Sequence, residues 1–347
     1  MRLAHVRERH APAGAPWRLA AALPDGRWLD LEPARRRLAA RDPGLAHNEA
    51  LFREPITTLD AQLAAGRRVE HLRALAEPFG AAGGAAAMPR GAVPPADLDD
   101  LALATPDLAF GPPILRPGSV RDFYAFEVHV RSVWARRHQE VPEAWYRLPV
   151  FYFSNVSELR GPGEAVWAPA GSAELDFELE VGALVDTPAR DLPAARAEEA
   201  LGGFFVLNDW SARDLQRDET TVRLGPAKGK DFATSIGPWL VTPDELADAR
   251  VEKGYDLAMS AHVNGQEISR GRWADAHYSF GEMLARASAD VRLRPGDVVG
   301  SGTVGGGCLL ESRERLGRYL QPGDLVALEI ERLGRLETPI VARPDRP

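Results

Sequence analysis

Leu175-Asp176-Phe177-Glu178-Leu179-Glu180-Val181 sets acids at every second position of an apolar run. Successive side chains of a strand point to opposite faces. The spacing therefore predicts a strand with Asp176, Glu178 and Glu180 on one side and Leu175, Phe177, Leu179 and Val181 on the other. Neighbouring acids on that face stand about 7 Å apart at the usual strand rise, near enough to repel one another and to share a cation. Acids are poor strand formers, so three together ask for compensating charge. Two sources are open: basic side chains on a neighbouring strand beside a solvated face, or a bound cation.

The rest of the chain narrows the choice. At 347 residues it can bury a large core and exceeds one ordinary domain, so a large domain with a smaller companion is expected. A net charge of −8 with no basic block argues against nucleic acid or an anionic membrane surface as partner and favours a small molecule. Met1-Arg2-Leu3-Ala4-His5-Val6-Arg7 lacks the apolar core of a signal peptide, and no later run approaches the ~20 apolar residues of a membrane span. The expected compartment is the cytoplasm. A single cysteine, Cys308, excludes an internal disulfide and a thiolate-rich metal site. With acids far outnumbering the eight histidines, a bound cation would be a hard one, Mg²⁺, Ca²⁺ or Mn²⁺.

Near the N-terminus, Trp17 to Leu23 and Arg27 to Leu31 flank Pro24-Asp25-Gly26 as a hairpin, and Thr57-Thr58 can cap a helical run through Leu59, Leu63, Val69, Leu72 and Leu75. Gly80 to Pro95 is mostly Ala, Gly and Pro, which neither packs a core nor holds one shape. This places a small mixed N-terminal domain at 1–80, a linker at 81–113 and the main domain at 114–347. If Arg121 to His129 is helical, Asp122 and His129 lie on one line of that helix. Val130 to Leu148, charged and aromatic, reads as a lid or a long surface loop. The strand Phe204-Phe205-Val206-Leu207 runs into Asn208-Asp209-Trp210-Ser211, with Asp209 at the strand end before a Ser-capped turn on which Arg213 and Gln216 face the same way. Strands follow at Tyr255 to Gly265, Asp297 to Gly302 and Asp324 to Glu331, the last two after the turns Arg294-Pro295-Gly296-Asp297 and Gln321-Pro322-Gly323-Asp324.

Lysine usage is informative, because Lys228, Lys230 and Lys253 are the chain's only lysines and two of them fall within Ala227-Lys228-Gly229-Lys230-Asp231-Phe232. A compact ammonium suits a single oxyanion or a carboxylate better than a guanidinium fork. The glycines of Gly302-Thr303-Val304-Gly305-Gly306-Gly307-Cys308-Leu309-Leu310-Glu311 can present backbone N–H groups to an anion, without the ending of a nucleotide P-loop. Cys308, beside Leu309 and Leu310, reads as a small core residue.

Arg121-Asp122-Phe123-Tyr124 with His129, the Glu178-Leu179-Glu180 strand, Asn208 to Asp214, Gly229-Lys230-Asp231-Phe232 and Gly302-Thr303 through Glu311 resemble, in order and spacing, the fumarylacetoacetate hydrolase family. The resemblance covers residues 114 to about 340. It implies an α+β, mostly β fold, a mixed β-roll preceded by a small N-terminal domain, and normally a homodimer. It implies one divalent cation per chain held by Asp122, Glu178, Glu180 and Asp209, with Asp176 outside the ligand set. It also implies His129 and Glu311 as the catalytic pair, Lys230 near metal and substrate, and Tyr124, Tyr152, Arg213, Gln216 and Thr303 as substrate contacts. The chemistry implied is hydrolytic cleavage of a carbon–carbon bond in a 1,3-dioxo acid, as in aromatic catabolism. An isomerase, tautomerase or decarboxylase of the family, and a non-catalytic metal-binding protein, are the alternatives. The chain departs from the best-known members in having Phe153-Ser154-Asn155 where they have His-Gly-Arg, and Thr220 or a neighbour in place of an aromatic. Ser132 occupies the position where shorter members place a Glu.

Overall fold

In the computed structural model, which describes residues 1–12, 14–42, 50–81 and 98–345, the fold is α+β and mostly strand. Short apolar segments, most of them buried along nearly their whole length, build one large sheet, whose order among the described residues is Ala102–Leu103, Trp28–Asp30, Arg18–Ala22, Arg2–Glu8, Thr234–Val241, Leu201–Asp209, Leu179–Val185, Val298–Gly300, Val120–Phe123 and Phe151–Ser154. A second antiparallel sheet runs Gln266–Arg272, Ala258–Val263, Leu325–Ile330, Gly334–Pro339. Between the two sheets lies a core that includes Phe204, Trp273, Phe280, Val181 and Leu328. Leu179–Val185 and Leu201–Asp209 are buried along their whole lengths, because the large sheet is covered on both faces there. The acidic residues thus enter a buried interior.

The N-terminal hairpin forms as expected, and Thr58 caps its helix by accepting from the Ala61 N–H at 3.2 Å. The apolar run that follows divides into Leu59–Ala64 and Val69–Ala76. Arg2–Glu8 pairs with Thr234–Val241, and Leu3, Leu29 and Leu72 share a core with Leu184, Phe205 and Ile236. The sheet and the core are therefore continuous across the expected joint. Of the expected linker, residues 82–97 lie outside the described residues. Residues 98–113 are not linker-like: Leu108–Phe110 pairs with Arg2–Glu8, Ala102–Leu103 pairs with Trp28–Asp30, and Leu101 and Leu108 are buried.

Three local expectations are corrected. Arg121 to His129 is not one helix, since Val120–Phe123 is a strand parallel to Val298–Gly300 and the helix begins at Glu127. That strand is buried on both faces, which outweighs any helical spacing of Asp122 and His129. Ser211 is not a cap, because it pairs with Asp176 in a short ladder and the helix Arg213–Thr221 starts after Ala212 without a side-chain cap. Glu311 lies on the first turn of the helix Leu309–Leu316, not on the glycine loop. Val130 to Leu148 holds the rest of the helix Glu127–Arg136 and a turn anchored by Trp145, whose indole donates to the Tyr124 carbonyl at 2.8 Å.

Both Pro-Gly turns form alike. Asp297 and Asp324 each accept the backbone N–H three residues earlier at 2.8 Å, and Gly296 and Gly323 take φ of 95° and 98°, where a side chain would be strained.

Candidate active site

The acidic run is not one continuous strand. Leu175–Asp176 pairs with Ser211–Ala212 and Leu179–Val185 pairs with Leu201–Asp209, while between them Glu178 donates its N–H to Asn208 Oδ1 at 2.9 Å. This break sends the three buried carboxylates to three destinations. Glu180 meets Asp122 and Asp209, with one oxygen of each within 4.8 Å of the others. Glu178 turns to Lys230 Nζ at 2.6 Å and to Arg213 Nη2 at 2.7 Å. Asp176 turns to Arg213 Nε at 2.7 Å and to the N–H groups of Leu309 and Leu310.

Asp122, Glu180 and Asp209 arrive on three different strands of the large sheet. Burial, and then the neighbouring carboxylates, push Asp122 and Glu180 well above the usual carboxylate range. Burial likewise raises Asp209, although Lys230 donates to its Oδ2 and Tyr152 Oη donates to the same oxygen at 2.5 Å. Asp122 Oδ1 and Asp209 Oδ1 are buried without a hydrogen-bond partner. Space is kept open beside them by Gly300, where a Cβ would stand 2.5 Å from Asp122 Oδ1 and 3.0 Å from Glu180 Oε2. Gly302 donates its N–H to Glu180 Oε2 at 3.0 Å and holds φ of 80°, with the Phe123 carbonyl 2.4 Å from where a Cβ would sit. Three converging oxygen donors, two of them with an orphaned buried atom, fit a hard divalent cation.

Burial works against the charges of Lys230 and Arg213, but Asp209 and Glu178 hold the first protonated and Asp176 and Glu178 the second. Glu178 is held well below the usual range, since Lys230 and Arg213 outweigh its burial. Arg213 Nη1 also donates to Gln216 Oε1 at 3.1 Å, so the two residues expected to face the same way do touch.

His129 projects from the helix Glu127–Arg136, and its Nδ1 lies 2.6 Å from Glu311 Oε2. Burial opposes the charge of Glu311, yet the hydrogen bond with His129 keeps its carboxyl below the ordinary range. A carboxylate there favours the tautomer with the proton on Nδ1 and leaves Nε2 with its lone pair free. The Cys308 thiol, fully buried, donates to the same Glu311 oxygen at 3.4 Å, and burial raises its pKa well above the ordinary value. That suits a packed residue and not a nucleophile.

A cavity of about 640 Å³ opens onto these groups. Every sequence-predicted site residue except Glu311 lines it, and Glu311 stands behind His129. The wall also takes in Trp134, Arg217, Arg313 and Tyr319, which the sequence reading did not single out. Helical spacing held no signal for them: Trp134 is five residues past His129, Arg217 one past Gln216 and Arg313 two beyond Glu311, none of them a same-face step, and Tyr319 follows no predicted site residue at such a spacing.

An acid cluster, a His–Glu pair and a buried lysine around one cavity define a small-molecule enzyme site. The family model described as fumarylacetoacetate (FAA) hydrolase C-terminal matches residues 118–341, and the chain belongs to this family of hydrolases and isomerases. It is 32% identical over 186 residues to a 2,4-didehydro-3-deoxy-L-rhamnonate hydrolase of Sphingomonas sp. (strain SKA58), covering 54% of this chain and 62% of that protein. The chain thus spans about three-fifths of the length of this curated relative. A crystal structure of 2-hydroxyhepta-2,4-diene-1,7-dioate isomerase from Mycobacterium marinum matches at TM-score 0.55 and 25% identity, covering 70% of this chain and 82% of that one. The fumarylacetoacetate hydrolase of Exiguobacterium antarcticum shares the fold along 99% of this chain and 100% of its own, at TM-score 0.67 and 21% identity. Among the described residues no helix is long and apolar enough to cross a membrane.

Proposed function

We propose that the chain is a divalent-metal-dependent hydrolase that cleaves a carbon–carbon bond in a 1,3-dioxo acid of the acylpyruvate or fumarylacetoacetate kind. The observation that carries this reading is the His129–Glu311 contact on the wall of the cavity that holds Asp122, Glu180 and Asp209. Asp122, Glu180 and Asp209 would hold a hard cation, with Glu178 as its fourth ligand once released from Lys230 or Arg213, and the ion would polarise the two oxygens of a dioxo acid.

The chain's own residues account for the proton movements. His129 Nε2 takes a proton from water as the water oxygen bonds to the acyl carbon. Glu311 holds the imidazole in the required tautomer and stabilises its charge, and general base help of this kind contributes roughly 10²–10⁴ in rate. Lys230 Nζ, with Gln216, donates to the oxygen that becomes an alkoxide at that carbon. The carbon–carbon bond then breaks, its electron pair leaves with the 2-oxo acid fragment as an enolate, and the imidazolium returns the proton to that carbon. Two acids result. The rhamnonate hydrolase among the relatives is named for a 2,4-didehydro-3-deoxy acid, which agrees with this class.

A second reading, isomerisation of a 2-oxo acid, draws on the match to the dioate isomerase. It needs no attacking water, and the His129–Glu311 pair would instead move a proton within the substrate. Incubating the protein and Mg²⁺ with a panel of 2,4-dioxo acids and resolving products by NMR tests both. Two acid fragments support hydrolysis, a product of unchanged mass supports isomerisation, and no turnover across the panel overturns the enzymatic reading. The homodimer and a place in aromatic catabolism, which the family resemblance suggests, and the cytoplasmic location, which the N-terminal sequence suggests, are parts of this proposal.

A further inference from the structure

Asp176 is the acid of the alternating run that the proposed chemistry leaves without a task, yet it is fully buried and its side chain bonds only to Arg213 on the cavity wall and to the start of the helix that carries Glu311. Its Oδ1 accepts from the Leu309 N–H at 2.7 Å, and its Oδ2 accepts from the Leu310 N–H at 2.9 Å and from Arg213 Nε at 2.7 Å. Leu309 and Leu310 open the helix that carries Glu311, and the residue before them, Cys308, supplies no side-chain cap. The first N–H groups of a helix have no partner within it, so a carboxylate from a distant strand takes the place of the missing cap. The same carboxylate fixes Arg213, which in turn ion-pairs with Glu178 at 2.7 Å and donates to Gln216 at 3.1 Å.

We infer that Asp176 is the positioning residue that joins the two halves of the site: through the helix Leu309–Leu316 it sets Glu311 against His129, and through Arg213 it sets Glu178 and Gln216. Neither half has another polar tie of this kind to the other through a single side chain among the described contacts. A burial-only account would ask for any residue that fills the space. The geometry instead uses both carboxylate oxygens, and the fork of two N–H groups with one guanidinium N–H accepts no neutral isostere in full. An amide would have to turn its NH₂ toward a donor on one side or the other.

The turnover test rests on the hydrolase reading, and a structural readout stands beside it. In Asp176→Asn, kcat per folded molecule is expected to fall by roughly 30-fold or more, since displacements near 1 Å at a site can cost about 10². KM is expected to rise as well, because Arg213 and Gln216 on the cavity wall lose the carboxylate that fixes them, while the Mg²⁺-induced rise in Tm is expected to persist through Asp122, Glu180 and Asp209. A crystal structure of the variant is expected to show Glu311 Oε2 beyond hydrogen-bond reach of His129 Nδ1, against 2.6 Å in the native chain. An unchanged His129–Glu311 contact overturns the proposal, and so does a kcat within about threefold of native with only Tm reduced, the result a purely structural residue would give. Should Asp176→Asn not fold, Leu309→Pro removes one of the two N–H groups at the first helical position, which follows an extended Cys308 and tolerates proline, and Leu309 does not line the cavity. Its kcat must then fall with the Asp176–Arg213 pair intact, and native kcat overturns the inference. If the native chain turns over no dioxo acid, the hydrolase reading fails alone, and the spacing in the variant structure still decides the positioning claim.

Discussion

Glu311 Oε2 and His129 Nδ1 lie 2.6 Å apart although 182 positions separate them in the chain, one on the helix Leu309–Leu316 and the other on the helix Glu127–Arg136. If the pair acts as one base, His129→Ala and Glu311→Gln each lose about 10²–10⁴ in turnover of a dioxo acid. The double variant then loses little more than either single one, because the same function is removed once. The metal-dependent rise in Tm is expected in all three. Multiplicative losses, or loss of the metal response in either single variant, would move one of the two residues out of the base pair.

The orphaned oxygens of Asp122 and Asp209 set the expectation for metal. Chelator is expected to lower Tm, and Mg²⁺ or Mn²⁺ to restore it, by about 2.7 kcal/mol at a hundredfold excess over Kd. Asp122→Asn should abolish the response. Gly300→Ala, which puts a methyl into the space between Asp122 and Glu180, should weaken metal affinity about 10–100-fold. Differential scanning with a series of hard cations checks this, and no shift with any of them would sink the metal site.

Much of the site could be read because strands and turns write short-range patterns. The alternation of Asp176, Glu178 and Glu180 with Leu175, Phe177 and Leu179 marked the right stretch, and the two Pro-Gly turns announced the strands at Val298–Gly300 and Leu325–Ile330. The interruption of the strand at Phe177-Glu178 could not be read, since it depends on Asn208 Oδ1 taking the Glu178 N–H and on Ser211 pairing with Asp176. For the same reason a single carboxylate face became three destinations. Asp122 misled in the opposite way: its spacing from His129 suits a helix, but Val298–Gly300 alongside makes the segment a buried strand. The family resemblance, and no local pattern, paired His129 with Glu311. The linker's end was missed because Leu101 is buried in the cluster of Leu29 and Leu31, and Leu108 in that of Val6 and Trp28, residues some seventy to a hundred positions away.

Asp324 gives a pH dependence away from the site. It is nearly buried, accepts from Arg318 at 2.6 and 2.7 Å and from Gln321 N–H and Asn264 Nδ2 at 2.8 Å, and its pKa is lowered to about 2, chiefly by Arg318. The folded value lies below the unfolded one, so this contribution is complete above about pH 4 and disappears as pH falls toward 2. Its size is about 1–2 kcal/mol. Urea unfolding from pH 6 down to 2.5 should show Asp324→Asn less stable than native at pH 6, with the gap closing on acidification. A constant gap would mean that packing, and not charge, accounts for the loss.

Lys230 and Lys228 are two residues apart and have opposite surroundings, which makes them their own control. Lys230 is buried and donates to Glu178 Oε2 at 2.6 Å and to Asp209 Oδ2, on the cavity wall. Lys228 is exposed and pairs with Asp231 at 2.8 Å. An arginine at 230 would keep the charge but bring a planar fork into a space shaped for one ammonium between two carboxylates, where it would displace one of them. Lys230→Arg is therefore expected to lose about 10²–10³ in kcat, the size seen when one donor to a developing oxyanion is removed. Lys228→Arg should stay within about twofold of native, as a solvated ion pair contributes little. Steady-state kinetics on the same dioxo acid, with folding checked by Tm, compares them. Equal losses would place the functional ammonium elsewhere, and an active Lys230→Arg would show that charge alone, without the shape of the lysine, is what Glu178 and Asp209 require.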